Sequence, residues 1–125
     1  MANPLYETLF APLAARRTVL MHLPDGREIT GAAFHACVAQ AAQGLRAAGV
    51  RPGDRVAVQI GKSPEALAIY AATVSIGAVF LPLNTAYTAH ELAYFVEDSG
   101  ARVVICDPKS REALSPIALA TGAQL

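Results

Sequence analysis

The sequence has no tryptophan, two cysteines and few charges of either sign: 16% of its 125 residues are charged, and ten basic residues balance ten acidic ones. That balance excludes the electrostatic footprint expected of a nucleic-acid or anionic-lipid binder. Cys37 and Cys106 lie far apart and share no metal-ligand spacing. No disulfide framework is implied, and both read as buried free thiols in a reducing cytoplasm. A secretory start is also missing, because Glu7 and then Arg16-Arg17 bracket only a short apolar run. Internal repeats, low-complexity tracts and Ser/Gly/Pro-rich linkers are absent, so a single structural unit is expected. The one long uncharged run, Ala66 to Leu83, reaches the lower limit of a membrane span. Gly77 interrupts it where a helix would end, and the run reads instead as a buried helix followed by a buried strand.

Apolar residues, by contrast, make up 54% of the chain. That is high for so small a unit, whose surface is large relative to its interior. Some faces are therefore expected to be covered by further polypeptide or by a second copy.

A strand–helix rhythm organises the chain. Pro4 to Leu13 reads as a short helix, and Thr18 to Leu23 with Arg27 to Ile29 as a hairpin around Pro24-Asp25-Gly26. Thr30 caps a long Ala-rich helix that stops at Gly49. Arg55 to Ile60 reads as a strand, and Ser63-Pro64-Glu65 opens a helix that ends near Gly77. Strand 78–83 leads to helix 89–99, whose start carries the capping-box pair Thr88 and Glu91. Arg102 to Cys106 is the next strand, and a helix runs from about Pro108 to Thr121. This alternation predicts an α/β fold, a partial and mostly parallel sheet with flanking helices and right-handed crossovers. Runs such as VFLPL and VVIC are apolar on both faces, as interior strands require. Three strands leave open edges, so the chain reads as the opening portion of a larger α/β domain. Thr121-Gly122-Ala123-Gln124-Leu125 reads as a helix C-cap leading toward another strand.

Candidates for chemistry fall away one by one. Gly61-Lys62-Ser63 follows a strand and opens a helix, like the end of a phosphate-binding loop, but the required upstream glycine is Val56. Ser63 therefore reads as an N-cap and Lys62 as a solvated side chain. Glycines at the dinucleotide-binding spacing are missing. His22, His35 and His90 are isolated, and the second histidine that a His90-Glu91 zinc helix needs is replaced by Tyr94. Glu97 and Asp98 are helix neighbours pointing apart, a solvated face and not a carboxylate pair. No serine stands in a nucleophile elbow, and neither cysteine has a neighbour that would lower its pKa.

Gly49 to Pro108 resembles the N-terminal region of the AMP-forming acyl-CoA synthetases, the adenylate-forming ligase superfamily. The likeness lies in GVRPGDRVAV, the helix ending in a small residue and Gly before a strand, the PLN turn, and the EL-containing helix before VVIC. DGREITGAAFHACVAQAAQGL, Asp25 to Leu45, resembles the same family's hairpin and first long helix. LPLNTAYTAHELAYF is similar to the malonyl-CoA synthetases, and Ala86 stands where many relatives carry a basic residue.

The resemblance implies that residues 1–125 are the N-terminal portion of the large domain of such a ligase. It implies ATP, Mg2+ and CoA as cofactors of the whole enzyme, with malonate as the acid. The family's nucleotide and catalytic motifs do not occur in this chain, so no catalytic or metal residue is expected in it and the chain alone is expected to be inactive. By analogy the loop Asn84, Thr85, Ala86 and Tyr87 lies near the route taken by CoA; the alternative is a plain strand-to-helix connection. The expected partner is the remainder of its own polypeptide, with no nucleic acid and no membrane span. The other open reading is a stand-alone, non-catalytic interaction module that self-associates through its apolar faces.

Overall fold

The structure, a computed structural model, describes residues 3–125. Helix α1 (Pro4–Leu9) begins with Asn3, whose side chain accepts from the Tyr6 N–H, and ends before a separate 3₁₀ segment, Ala11–Ala15. One helix over Pro4 to Leu13 was expected; Pro12 in the first turn of the second segment divides it, because proline cannot donate to the preceding turn. Strands β1 (Val19–His22) and β2 (Glu28–Thr30) pair antiparallel around the turn at Gly26. Thr30 then caps α2 (Gly31–Ala47), as its sequence position predicts.

The central sheet contains β3 (Arg55–Gln59), β4 (Val79–Pro82) and β5 (Val103–Cys106), all parallel, in the order β4-β3-β5. Helix α3 (Pro64–Ser75) connects β3 to β4, and α4 (Ala89–Ser99) carries the chain back across β3 to β5. Beyond β5, a 3₁₀ turn at Pro108–Ser110 precedes α5 (Arg111–Thr121), so the expected helix starts later than Pro108. Gln124 forms a parallel bridge to Val103, with the Val104 N–H donating to its carbonyl at 2.8 Å. The residues after the C-cap at Gly122 thus extend the sheet on the β5 side, in the direction the sequence points.

Strand alternation divides the interior into two layers. Val56, Val58 and Val103 face α2 and α3, packing with Phe34, Val38, Leu45 and Ala72; Ala57 and Val104 face α4 and α5, packing with Leu92, Val96 and Leu114. The buried Val, Leu and Phe side chains among them stabilise the fold by about 1.5–3 kcal/mol each. An aromatic chain, Tyr6–Phe10–Tyr70–Phe80, with centroid separations of 5.2 to 6.1 Å, fastens α1 to α3 and β4.

Two expectations change. The run from Val79 reads as an interior strand, yet among the described residues β4 stands at the sheet edge and Val79 is 49% exposed, because the return through α4 places β5 on the far side of β3. Cys37 is exposed and Cys106 half-buried, where both were expected to be buried. On α2 the buried stripe passes through Phe34, Val38, Ala42 and Leu45, and Cys37 projects to its flank. Among the described residues, no helix is long and apolar enough to cross a membrane.

Candidate functional site

In open parallel sheets, ligands bind outside the carboxyl ends of the strands, where successive connections depart in opposite directions. That point falls between β3 and β5: β3 sends the chain through α3 to one side, and β5 sends it through α5 to the other. The loops after β3, β4 and β5 meet there, built around Gln59, Asn84 and Asp107.

The three loops are stitched together by hydrogen bonds. The Asp107 carboxylate accepts from the Gly61 N–H at 3.0 Å, and the Asp107 N–H donates to the Gln59 carbonyl at 3.3 Å. Gln59, only 4% exposed, donates through Nε2 to the Asn84 carbonyl at 3.0 Å. That carbonyl also accepts from the Tyr87 N–H at 3.1 Å, while Asn84 Oδ1 accepts from the Ala86 N–H at 2.9 Å, closing an Asx turn. Gln59 and Asp107 were not singled out from sequence as site residues. The available signal is a polar residue at the end of one apolar strand and just after the other: Gln59 closing RVAVQ and Asp107 following VVIC.

The loop Asn84, Thr85, Ala86 and Tyr87 is where the sequence places it, between β4 and α4. Its first three residues are exposed, while the Tyr87 ring packs 5.1 Å from that of Phe95. Thr88 and Glu91 form the expected capping box: the Thr88 hydroxyl accepts from the Glu91 N–H at 3.2 Å and Glu91 accepts from the Thr88 N–H at 2.7 Å. Ser63 caps α3 as expected, accepting from the Ala66 N–H at 3.2 Å, and Lys62 is exposed. Burial raises the Cys106 thiol pKa, with nearby Asp107 adding to the rise and Arg111 opposing it. A thiol so placed is a poor nucleophile near neutral pH.

The histidines are not brought together. His22 lies 3.3 Å from Glu28 on the hairpin, His35 Nε2 shares a 3.1 Å hydrogen bond with the Tyr6 hydroxyl, and His90 is exposed on α4. Glu97 and Asp98 are exposed on α4. A groove of about 890 Å³ runs between the hairpin and the start of α3, chiefly apolar from Met21 and Leu23 to Leu67.

A family profile described as AMP-binding enzyme matches residues 11–124. The chain belongs to the AMP-binding enzyme family. A feruloyl-CoA synthase of an Amycolatopsis species is 42% identical over 108 residues, covering 86% of this chain and 22% of that protein. An acetyl-coenzyme A synthetase of Chlorobaculum tepidum is 36% identical over 93 residues, 74% of this chain and 14% of that protein. The crystal structure of apo MatB from Rhodopseudomonas palustris matches with a TM-score of 0.92 at 43% identity, covering 99% of this chain and 25% of that chain. The α/β arrangement is that of the N-terminal region of adenylate-forming ligases. This family member spans between 14% and 25% of the length of these three relatives.

The position where a phosphate loop needs glycine is Val56, fully buried inside β3, and among the described residues no group of three or more His, Cys, Asp or Glu converges on a point that could hold a metal. What the carboxyl edge offers is a set of loops joined through backbone, amide and carboxylate hydrogen bonds.

Proposed function

We propose that this chain serves in an ATP-dependent, AMP-forming acid–thiol ligase as the N-terminal portion of its large domain. In the reaction a carboxylate oxygen bonds to the α-phosphorus of ATP and pyrophosphate leaves. The thiolate of CoA then bonds to the acyl carbon, AMP departs with the carboxylate oxygen on its phosphate, and the thiol proton goes to solvent. The match of residues 11–124 to the AMP-binding enzyme family carries this reading. The chain's own part is to form one sheet and the turn Asn84–Tyr87, beside which CoA passes; nucleotide and metal are held by residues outside it. Malonate is the acid proposed, on the resemblance of Leu81 to Phe95 to the malonyl-CoA synthetases, and the site of action is the cytoplasm.

The test is to produce the protein encoded by the whole reading frame and compare malonate, acetate and ferulate as acids. Malonate is expected to give the highest kcat/KM for CoA thioester formation; preference for ferulate or acetate would overturn the malonate assignment, and no thioester with any acid would overturn the ligase reading.

A second reading, a self-associating interaction module, draws on the open β4 edge and on Leu119, 86% exposed. It requires a stable dimer of residues 1–125 in sedimentation analysis, and a monomer would exclude it.

A further inference from the structure

We propose that Gln59 is a positioning residue whose buried amide holds the Asn84–Tyr87 turn in shape for the thioester-forming step, an inference that rests on the ligase reading above. Gln59 and Thr73 are the only buried polar side chains among the described residues. Thr73 satisfies its hydroxyl within its own helix, on the Ile69 carbonyl at 2.7 Å. Gln59 instead reaches across to a neighbouring loop, 25 residues away in sequence, to hold the Asn84 carbonyl. A buried polar group is costly unless its hydrogen bond is made, so the turn and the amide fix one another. The same Asn84 carbonyl anchors the Tyr87 N–H, and the Asn84 side chain anchors that of Ala86, so one contact controls the path of the whole exposed turn. The backbone of Gln59 is in turn tied through Asp107 to Gly61, which fixes the strand end from which its side chain projects.

The test uses Gln59→Met, which keeps the volume and removes the donor, beside Gln59→Glu, which keeps the shape and, measured at a pH above its burial-raised carboxyl pKa, offers only acceptors. In residues 1–125, hydrogen exchange should accelerate about tenfold or more at the Ala86 and Tyr87 amides in both variants, with the Val56 and Val58 amides unchanged. In the whole ligase, the KM for CoA should rise about tenfold in both variants, while the rate of pyrophosphate release with malonate stays within about twofold of the unsubstituted enzyme. Unchanged exchange at the turn overturns the inference. Faster exchange with an unchanged KM for CoA, in an unsubstituted enzyme that does make the thioester, overturns it while leaving the ligase reading intact. Equal losses in pyrophosphate release and thioester formation identify a merely structural role and overturn it as well. If the unsubstituted whole protein forms no thioester, the ligase reading fails and the inference falls with it.

Discussion

The carboxylate of Asp107, at the end of β5, accepts the backbone N–H of Gly61, just beyond the end of β3, at 3.0 Å across 46 residues of sequence. This contact closes the point where the two halves of the sheet diverge. Replacing Asp107 with Ala removes the acceptor from an exposed N–H that water can reach, and the expected loss is about 1 kcal/mol. Urea denaturation of the two proteins checks this; a change below about 0.3 kcal/mol would show that the contact contributes only local order.

The start of α4 depends on the Thr88–Glu91 capping box. Thr88→Ala is expected to cost about 1 kcal/mol and Thr88→Ser only a few tenths, because serine keeps the accepting hydroxyl. Thermal unfolding of both variants decides it, and equal losses would point to the threonine methyl instead of the cap.

Gly77 and Gly122 both end helices with positive φ, at 76° and 78°. A Cβ on Gly77 would lie 3.3 Å from Pro52 Cβ, whereas at Gly122 it would meet nothing within 4 Å. Alanine at Gly122 should cost about 1 kcal/mol through backbone strain alone, and at Gly77 about 1 kcal/mol more. Equal denaturation midpoints for the two variants would show that the Arg51–Asp54 turn gives way without cost.

These features differ in how far the sequence reveals them. Caps and turn residues act within four positions, so Thr30, Ser63, Thr88 and the hairpin around Gly26 are readable from local chemistry. The βα alternation is readable for the same reason. Whether β4 lies inside or at an edge depends on the direction of the α4 crossover, which no residue near Val79 encodes. Gln59 reaching Asn84, Asp107 reaching Gly61 and the His35–Tyr6 pair depend on that global arrangement too. Cys37 was misplaced because a small apolar residue in an Ala-rich helix gives little indication of which side of the stripe it occupies.

The two thiols provide a pH-dependent prediction. Burial raises the Cys106 pKa above the ordinary 9.0, so the folded state holds that proton longer than the unfolded state does. Its contribution to stability is fully present below the unfolded-state pKa and is lost as pH rises through the higher folded value. Unfolding free energy should therefore decline above about pH 9, more steeply than in Cys106→Ala. The exposed Cys37 should react with a disulfide reagent well before Cys106 at neutral pH; equal rates would contradict the burial described for Cys106.

On the function proposed above, this AMP-binding family chain is part of an acid–thiol ligase that cleaves ATP to AMP. The most direct measurement is to quantify the nucleotide released for each thioester formed by the protein from the whole reading frame, supplied with ATP, Mg2+, malonate and CoA. One AMP per malonyl-CoA, with both falling to background when malonate is omitted, is the predicted result. Release of ADP with phosphate, or AMP formation indifferent to the acid, would contradict it.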